Sequence, residues 1–505
     1  MSETINSNFP LLLVVLPAIF GLLILAAPQK WKASGAIAAA GSAVALVQVL
    51  CLRGQSLEFT RAWAGWGMDF SLKLTAQNYA LVVAAAVLTF LVAGYSLVAK
   101  AVSADEKTFH ASTLFALAMA SGALMSNNLV AMLFFWQAMW APVFGMIKAG
   151  GKNAWKTSVR AVFTAGFSDL LMILGIGFAS LAAESMTIDQ MHVPMTTLGT
   201  AGFLLMSVGA LGKLGAIPFH GWLYKASEDA PSPFMGLIPG GLNLLMGTNL
   251  FSKFPGMFDT TATSGAMLLV MIAAAGSVVL SGMLAMSAGS FKKLAVALNV
   301  AQAGALVLGA TSVAGGVFVD AAVIAAAAGS SLYLAAGAME KGKAGKSSSA
   351  ASFLYYVAAG AAVAVVFTGA LFRIALHESW LSLILAVVSL IGAIFAVSGV
   401  TRLIRAARDD SAKAAEPAFD LGGAQAWLDR TLCDPYPAFG AFIRGYAGIS
   451  LKVNDAISWF YDVGVVWFVG FLSSLVKRAH NGSQSRYVLW VLLGAVVVIA
   501  IFALS

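Results

Sequence analysis

The chain has 505 residues, 60% of them hydrophobic and only 10% charged, with a mean hydropathy of +0.87. Soluble domains carry about 25% charged residues, so this composition excludes a large globular domain and reads as a polytopic membrane protein. The formal charge of +8 invites a nucleic-acid reading, but its distribution excludes one.

The apolar runs exceed the roughly 9–11 residues of a membrane β-strand, which points to helices throughout. Spans of about 20 apolar residues fall near 9–27, 35–52, 78–99, 111–126, 129–147, 161–182, 198–223, 230–251, 263–286, 291–312, 317–338, 351–375 and 380–401. A last one at 487–504 brings the expected total to about fourteen. The first span has no basic region before it and Pro28 and Lys30 after it, so a retained helix is expected rather than a cleaved signal. Residues 53–77 alternate polar and apolar side chains around glycines, which predicts a small external hairpin.

Basic residues follow the same rhythm. The loops around 28–34, 100–110, 148–160, 225–229, 287–293, 340–350 and 402–413 hold 18 of the 30 lysines and arginines. The opposite loops hold Arg53, Arg61, Lys73 and Lys253. By the positive-inside rule this predicts a multi-pass protein of a bacterial-type inner (cytoplasmic) membrane with its N-terminus outside. Residues 1–401 are expected to form the bundle and 402–448 a charged cytoplasmic linker, with 449–505 holding a lateral helix and the final anchor. The segment 449–478 carries Lys452, Asp455 and Asp462 on an apolar background. It reads as an amphipathic helix on the cytoplasmic membrane surface, with a further span as the alternative.

Cys51 and Cys433 belong to no metal-binding pattern, and the five histidines are scattered. No metal, haem, iron–sulfur or phosphate-binding motif is present, so no cofactor and no catalytic residue is expected in this chain.

Ionisable groups at membrane depth are rare and face a polar interior or a water path. Lys213 lies within one turn of Pro218 in GALGKLGAIPFHGWL. A proline there frees backbone carbonyls, which predicts a broken seventh span. Lys213 then reads either as a proton-carrying amine or as a structural lysine bridging the broken ends. Asp169 lies mid-span in the sixth segment, as a second path residue or as a simple partner for a lysine. His220, two residues past Pro218, could titrate near neutrality or act as a local cap. Lys292, Lys293 and Asp320 lie close enough to span ends to snorkel, and Arg373 reads as an interfacial anchor.

GKLGAIPFHGWLYKASEDAPSPFMGLI resembles the antiporter-like subunits of respiratory complex I, matching at Gly212, Lys213, Pro218, His220, Trp222, Leu223, Glu228, Pro231 and Pro233. FFWQAMW (134–140) resembles that family's FFWE segment, and Asp169 falls on its Gly-Asp position. SFKKLAVALNVAQAG (290–304) matches its tenth helix at Lys292, Lys293, Gln302 and Gly304. SLYLAAGAM (331–339) and AHNGSQSRYVLWVLLG (479–494) resemble its eleventh helix and its lateral-helix-to-anchor end. The family includes pumping subunits of complex I, energy-converting hydrogenases, multisubunit sodium/proton antiporters and partners of inorganic-carbon uptake proteins. The resemblance implies other membrane subunits and the lipid bilayer as partners, and redox- or gradient-coupled movement of protons or sodium. Lys213, Asp169, Lys293, Gln137 and His220 are the implied path residues.

The departures are specific. Gln137 takes the place of the family's glutamate and cannot ionise. The relay positions of the eighth and eleventh helices fall near Pro239, Ala325 and Gly329, and Arg373 is the cation left on the twelfth. The chain also has about one span fewer before its lateral segment. Two functions remain open: an ion-translocating subunit with an altered route, or a non-pumping structural subunit of a hydrogenase-like or carbon-uptake assembly. A stand-alone solute transporter has only the broken helix in its favour.

Overall fold

The computed structural model describes residues 4–28, 33–63, 69–102, 105–151, 154–260, 264–311, 318–341, 349–376, 379–409, 436–459, 462–463 and 466–479. Among these, thirteen stretches are helical, long and apolar enough to cross a membrane. The fourteenth, expected at 487–504, lies outside the described residues.

The first spans are α1 (Phe9–Ala26), α2 (Ser34–Cys51), α3 (Ala76–Ala99) and α4 (Glu106–Met125). A fifth follows as two helices, α5 (Leu129–Ala138) and α6 (Trp140–Lys148). Next come α7 (Ala154–Ala182), α8 (Thr197–Leu214) and the short α9 (Gly221–Asp229). The eighth span joins α10 (Ser232–Leu237) to α11 (Asn243–Met257) through a π-helical turn at Ile238–Leu242. The bundle ends with α12 (Gly265–Ser287), α13 (Phe291–Ala310), α14 (Phe318–Lys341), α15 (Ser349–Leu376) and α16 (Trp380–Asp409). In the second compact unit, α17 (Tyr436–Trp459) and α18 (Val466–Ala479) are separate helices, and α17 begins ahead of residue 449.

Leu294 through Ala310 of α13 are buried without interruption, and so are Pro233 through Phe251 of the joined eighth span. These two helices form the axis of the first unit. Small residues let the outer helices approach this axis and one another closely. A Cβ on Gly282 of α12 would meet the Gly392 carbonyl of α16 at 2.2 Å. A Cβ on Gly369 of α15 would meet the Ala305 carbonyl of α13 at 2.7 Å.

Between α2 and α3 the chain forms the expected hairpin. Strand β2 (Leu57–Ala62) pairs antiparallel with β3 (Asp69–Leu74), and Ile5–Asn6, as β1, adds to β2 in parallel. Leu57, Leu72 and Leu74 are buried, so alternation in these strands fixes which side faces the bundle. Lys73 on β3 pairs with Asp189, in the short turn between α7 and α8, at 2.5 Å. This tie joins the hairpin to the loop across 116 positions of chain.

Burial pushes the Asp189 carboxyl up, but the Lys73 ammonium and the Asn127 hydrogen bond outweigh it and hold the group below its ordinary value. A carboxyl depressed on folding adds stability above its unfolded pKa and loses it as pH falls through the folded one. Amide exchange in residues 69–74 should therefore quicken as pH is lowered below about 3.9, the ordinary Asp pKa, after correction for intrinsic exchange. Asp189→Asn should remove that dependence. An unchanged profile in the variant would show the tie to be inconsequential.

Candidate functional site

Lys213 is placed by a glycine seam. Against α7, a Cβ on Gly209 would approach Met172 Cβ at 2.5 Å, and one on Gly212 would overlap Ser168 Oγ. From the other side, a Cβ on Gly175 would meet the Met206 backbone nitrogen at 2.6 Å. The backbones of α7 and α8 therefore run close together, and Asp169, beside Ser168, comes within reach of Lys213, beside Gly212.

Helix α8 stops at Gly215, which takes φ +70° and returns its N–H to Gly212 and Leu211. A side chain there would be strained, which is why glycine closes the helix. The chain then turns through 216–220 with a cis Ile217–Pro218 peptide before α9 begins. The Ile217 N–H donates to Ser277 Oγ of α12 at 3.1 Å. An irregular backbone at membrane depth needs such a partner.

The Lys213 ammonium stands 3.5 Å from Asp169 Oδ2, and both side chains are 1% exposed. It also donates to the Trp136 carbonyl at 3.0 Å. It lies 5.0 Å from the Trp136 ring centroid and 4.3 Å from that of Trp140, a geometry in which the negative ring faces attract the cation. The indole N–H groups do the complementary work: Trp136 donates to Asp169 Oδ1 at 2.9 Å, and Trp140 donates to Oδ2. Two tryptophans thus solvate both members of one buried ion pair.

Of the residues singled out in the sequence, the structure brings Lys213 and Asp169 together. Gln137 lies between the two tryptophans in sequence, and its buried Nε2 has no hydrogen-bond partner. His220 is buried beside the turn, with Nδ1 likewise without a partner. Lys293 is not part of the box. It is 45% exposed and pairs with Glu228 at 3.3 Å, at the opposite end of the bundle from the hairpin. Asp320 is exposed, as a span-end residue can be. Arg373 corrects the anchor reading: it is 1% exposed, with its guanidinium donating to the Leu308 carbonyl at 2.6 Å and Thr311 Oγ1 at 2.8 Å. A cation at the C-terminus of α13 is favoured by the helix dipole, and here a terminal carbonyl and the Thr311 hydroxyl hold it inside the bundle.

Sequence reasoning misses the roles of Trp136 and Trp140. Their signal is the four-residue spacing that puts two side chains on one helical face, here flanking the position where an acid is absent.

Residues 126–348 match the family described as "NADH:quinone oxidoreductase/Mrp antiporter, TM". The fold is similar to a chain of the membrane-bound sulfane sulfur reductase, an archaeal respiratory membrane complex, with a TM-score of 0.68 and 15% identity over 89% of this chain and 97% of that one. It is also similar to a chain of respiratory complex I from Thermus thermophilus, with a TM-score of 0.64 and 18% identity, covering 85% and 96%. Residues 126–348 thus carry the transmembrane part of the antiporter-like subunit family. A Na(+)/H(+) antiporter subunit from Bacillus subtilis is 24% identical over 265 residues, covering 49% of this chain and 53% of that protein. The match therefore spans about half the length of that relative.

Two of the positions singled out by the resemblance, Pro239 and Gly329, lie where backbone packs closely on backbone. Pro239 lies in the π-helical turn, and the neighbouring Gly240 packs on α14. A Cβ on Gly240 would lie 2.7 Å from the Gly329 carbonyl carbon, and one on Gly329 would lie 2.5 Å from the Gly240 oxygen. Backbone fills the space that a long side chain at 329 would need. The Ala325 carbonyl nearby accepts from Gln302 Nε2 at 3.4 Å.

Removing one member of a buried ion pair strands the other, at a cost of about 3–5 kcal/mol, while replacing both with apolar groups is often neutral. Asp169→Leu and Lys213→Met should each lower unfolding stability in detergent by about that amount. The double variant should lose far less than the sum. Additive losses would show that the two charges do not depend on each other.

Proposed function

We propose that this chain is a non-catalytic membrane subunit of a redox-linked, ion-translocating complex, lying in a bacterial-type inner membrane with its N-terminus and hairpin outside. In this reading it moves protons or sodium through a midplane path centred on Lys213. The observation that carries the reading is the Lys213–Asp169 pair, buried at a helix end between two indoles. At 3.5 Å the attraction is about 5 kcal/mol for an effective dielectric of about 20. Desolvation of the two ions is of similar size or larger. A pair so nearly balanced changes state when a charge arrives or leaves nearby, which is what a gate requires.

Gln137 cannot supply that charge, so Asp169 takes the role of Lys213's counter-ion in this chain. His220 offers an unpartnered ring nitrogen beside the turn. Lys293 and Glu228 form an exchange point with solvent at the opposite end. Redox chemistry belongs to partner subunits.

Lys213→Ala, introduced into the assembled complex, should reduce ion movement into inverted membrane vesicles by at least about tenfold, the effect of about 1.4 kcal/mol on a barrier. Assembly is followed in parallel by native electrophoresis. Unchanged translocation by a fully assembled complex would overturn the reading.

A second reading has its own support. The Gly240–Gly329 contact leaves no room for a relay side chain at 329, which favours a structural subunit whose C-terminal segment holds neighbours. Removing residues 449–505 should then release this chain from the complex on gel filtration. A stable, fully assembled truncation would count against the structural role.

A further inference from the structure

A cavity of about 390 Å³ opens at the hairpin end of the bundle, and no residue of the Lys213 box lines it. Its wall takes Lys73 from β3, Gln77 from the start of α3, Asn127 from the turn after α4, Asp189 from the loop before α8, and Asn249 and Lys253 from the end of α11. That volume is within the range of small-ligand sites, about 300–1,000 Å³.

The charges in this wall do not cancel. Two ammonium groups face one carboxylate, and that carboxylate is already engaged, since Lys73 holds Asp189 at 2.5 Å. Lys253 donates only to the Ser126 carbonyl, at 3.3 Å, and among the described residues it forms no ion pair. Neutral groups nearby are largely occupied. Asn78 and Asn249 both give their amide hydrogens to the Leu124 carbonyl, at 3.1 and 3.4 Å. Ser252 donates to the Asn249 carbonyl at 2.8 Å. One positive charge, with unused donors, is thus left facing a polar hollow at the level where the spans end.

We propose that this cavity binds a phosphate group, either of an anionic lipid headgroup or of free inorganic phosphate, with Lys253 as its principal ligand and Lys73 as a second. A metal cation is disfavoured because Lys253 repels it and Asp189 is engaged. A phosphate oxygen would gain a charge-assisted hydrogen bond from each ammonium. Basic pockets between spans on the cytoplasmic side hold lipid headgroups by such contacts, and the same ammonium–phosphate chemistry applies at this hairpin-side cavity. The proposal does not depend on whether the chain translocates ions.

The test uses the full chain in two arms. One titrates inorganic phosphate into detergent-solubilised protein by calorimetry. The other measures retention of phosphatidylglycerol, by native mass spectrometry, after extraction from phosphatidylglycerol–phosphatidylcholine nanodiscs. In at least one arm, Lys253→Met should weaken binding at least about tenfold, and Lys253→Arg should retain it and so control for folding. Asp189→Asn removes the opposing charge and should tighten binding, a sign that a purely structural role would not produce. Binding in the phosphate arm alone identifies a free oxyanion, and binding in the lipid arm alone identifies a headgroup. Absence of binding in both arms, or equal binding by the wild type and Lys253→Met, would overturn the proposal.

Discussion

An ammonium and a carboxylate cannot be left alone inside a membrane bundle, and much of the geometry around Lys213 follows from that constraint. The charge on Lys213 is met by Asp169, the Trp136 carbonyl and two ring faces. The charge on Asp169 is met by Lys213 and two indole N–H groups. To bring these groups together, α7 and α8 must approach along Gly175, Gly209 and Gly212, and α8 must end where Gly215 allows it. The fifth span contributes its indoles from α5 and α6, on either side of a change of helix at Met139. A larger residue in the seam would move the lysine away from its only ion-pair partner among the described residues.

The same bundle treats its other charges differently. Arg373 is buried but ties off the end of α13, a role that needs no carboxylate. Lys293 and Glu228 pair where solvent can reach both. Elsewhere in the bundle, the contact of Gly240 with Gly329 packs backbone directly against backbone. A charge moving along the bundle axis would need water or a route around that contact. The two functional readings differ on this point, while the Lys213 box is common to both.

The spans were legible because apolar runs of membrane length carry a strong signal. The hairpin was legible because its alternation survives beside glycines. The lysine and the aspartate were legible as ionisable groups at depth, but their pairing was not, since it depends on how closely two helices pack. The glycines at 202, 209 and 212 of α8 admit a close neighbour, but their spacing does not indicate which helix fills the seam. Arg373 was misread because proximity to a span end does not reveal whether a side chain turns outward or inward. Trp136 and Trp140 drew no separate role from the sequence because solvation by an indole N–H depends on where the acid lies. The excess charge at Lys253 could not be seen at all, because its surroundings come from four separate parts of the chain.

Everything proposed for Lys213 requires that it and Asp169 are both ionised and in contact inside the bundle. Infrared difference spectroscopy of the full chain, wild type minus Asp169→Asn, measures this directly when aspartate is labelled with carbon-13 at the side-chain carboxyl. The variant should lose an ionised carboxylate band that is insensitive to exchange of bulk water for deuterium oxide. A lost protonated-carboxyl band in its place, or a carboxylate band that shifts with solvent exchange, would contradict the buried ion pair.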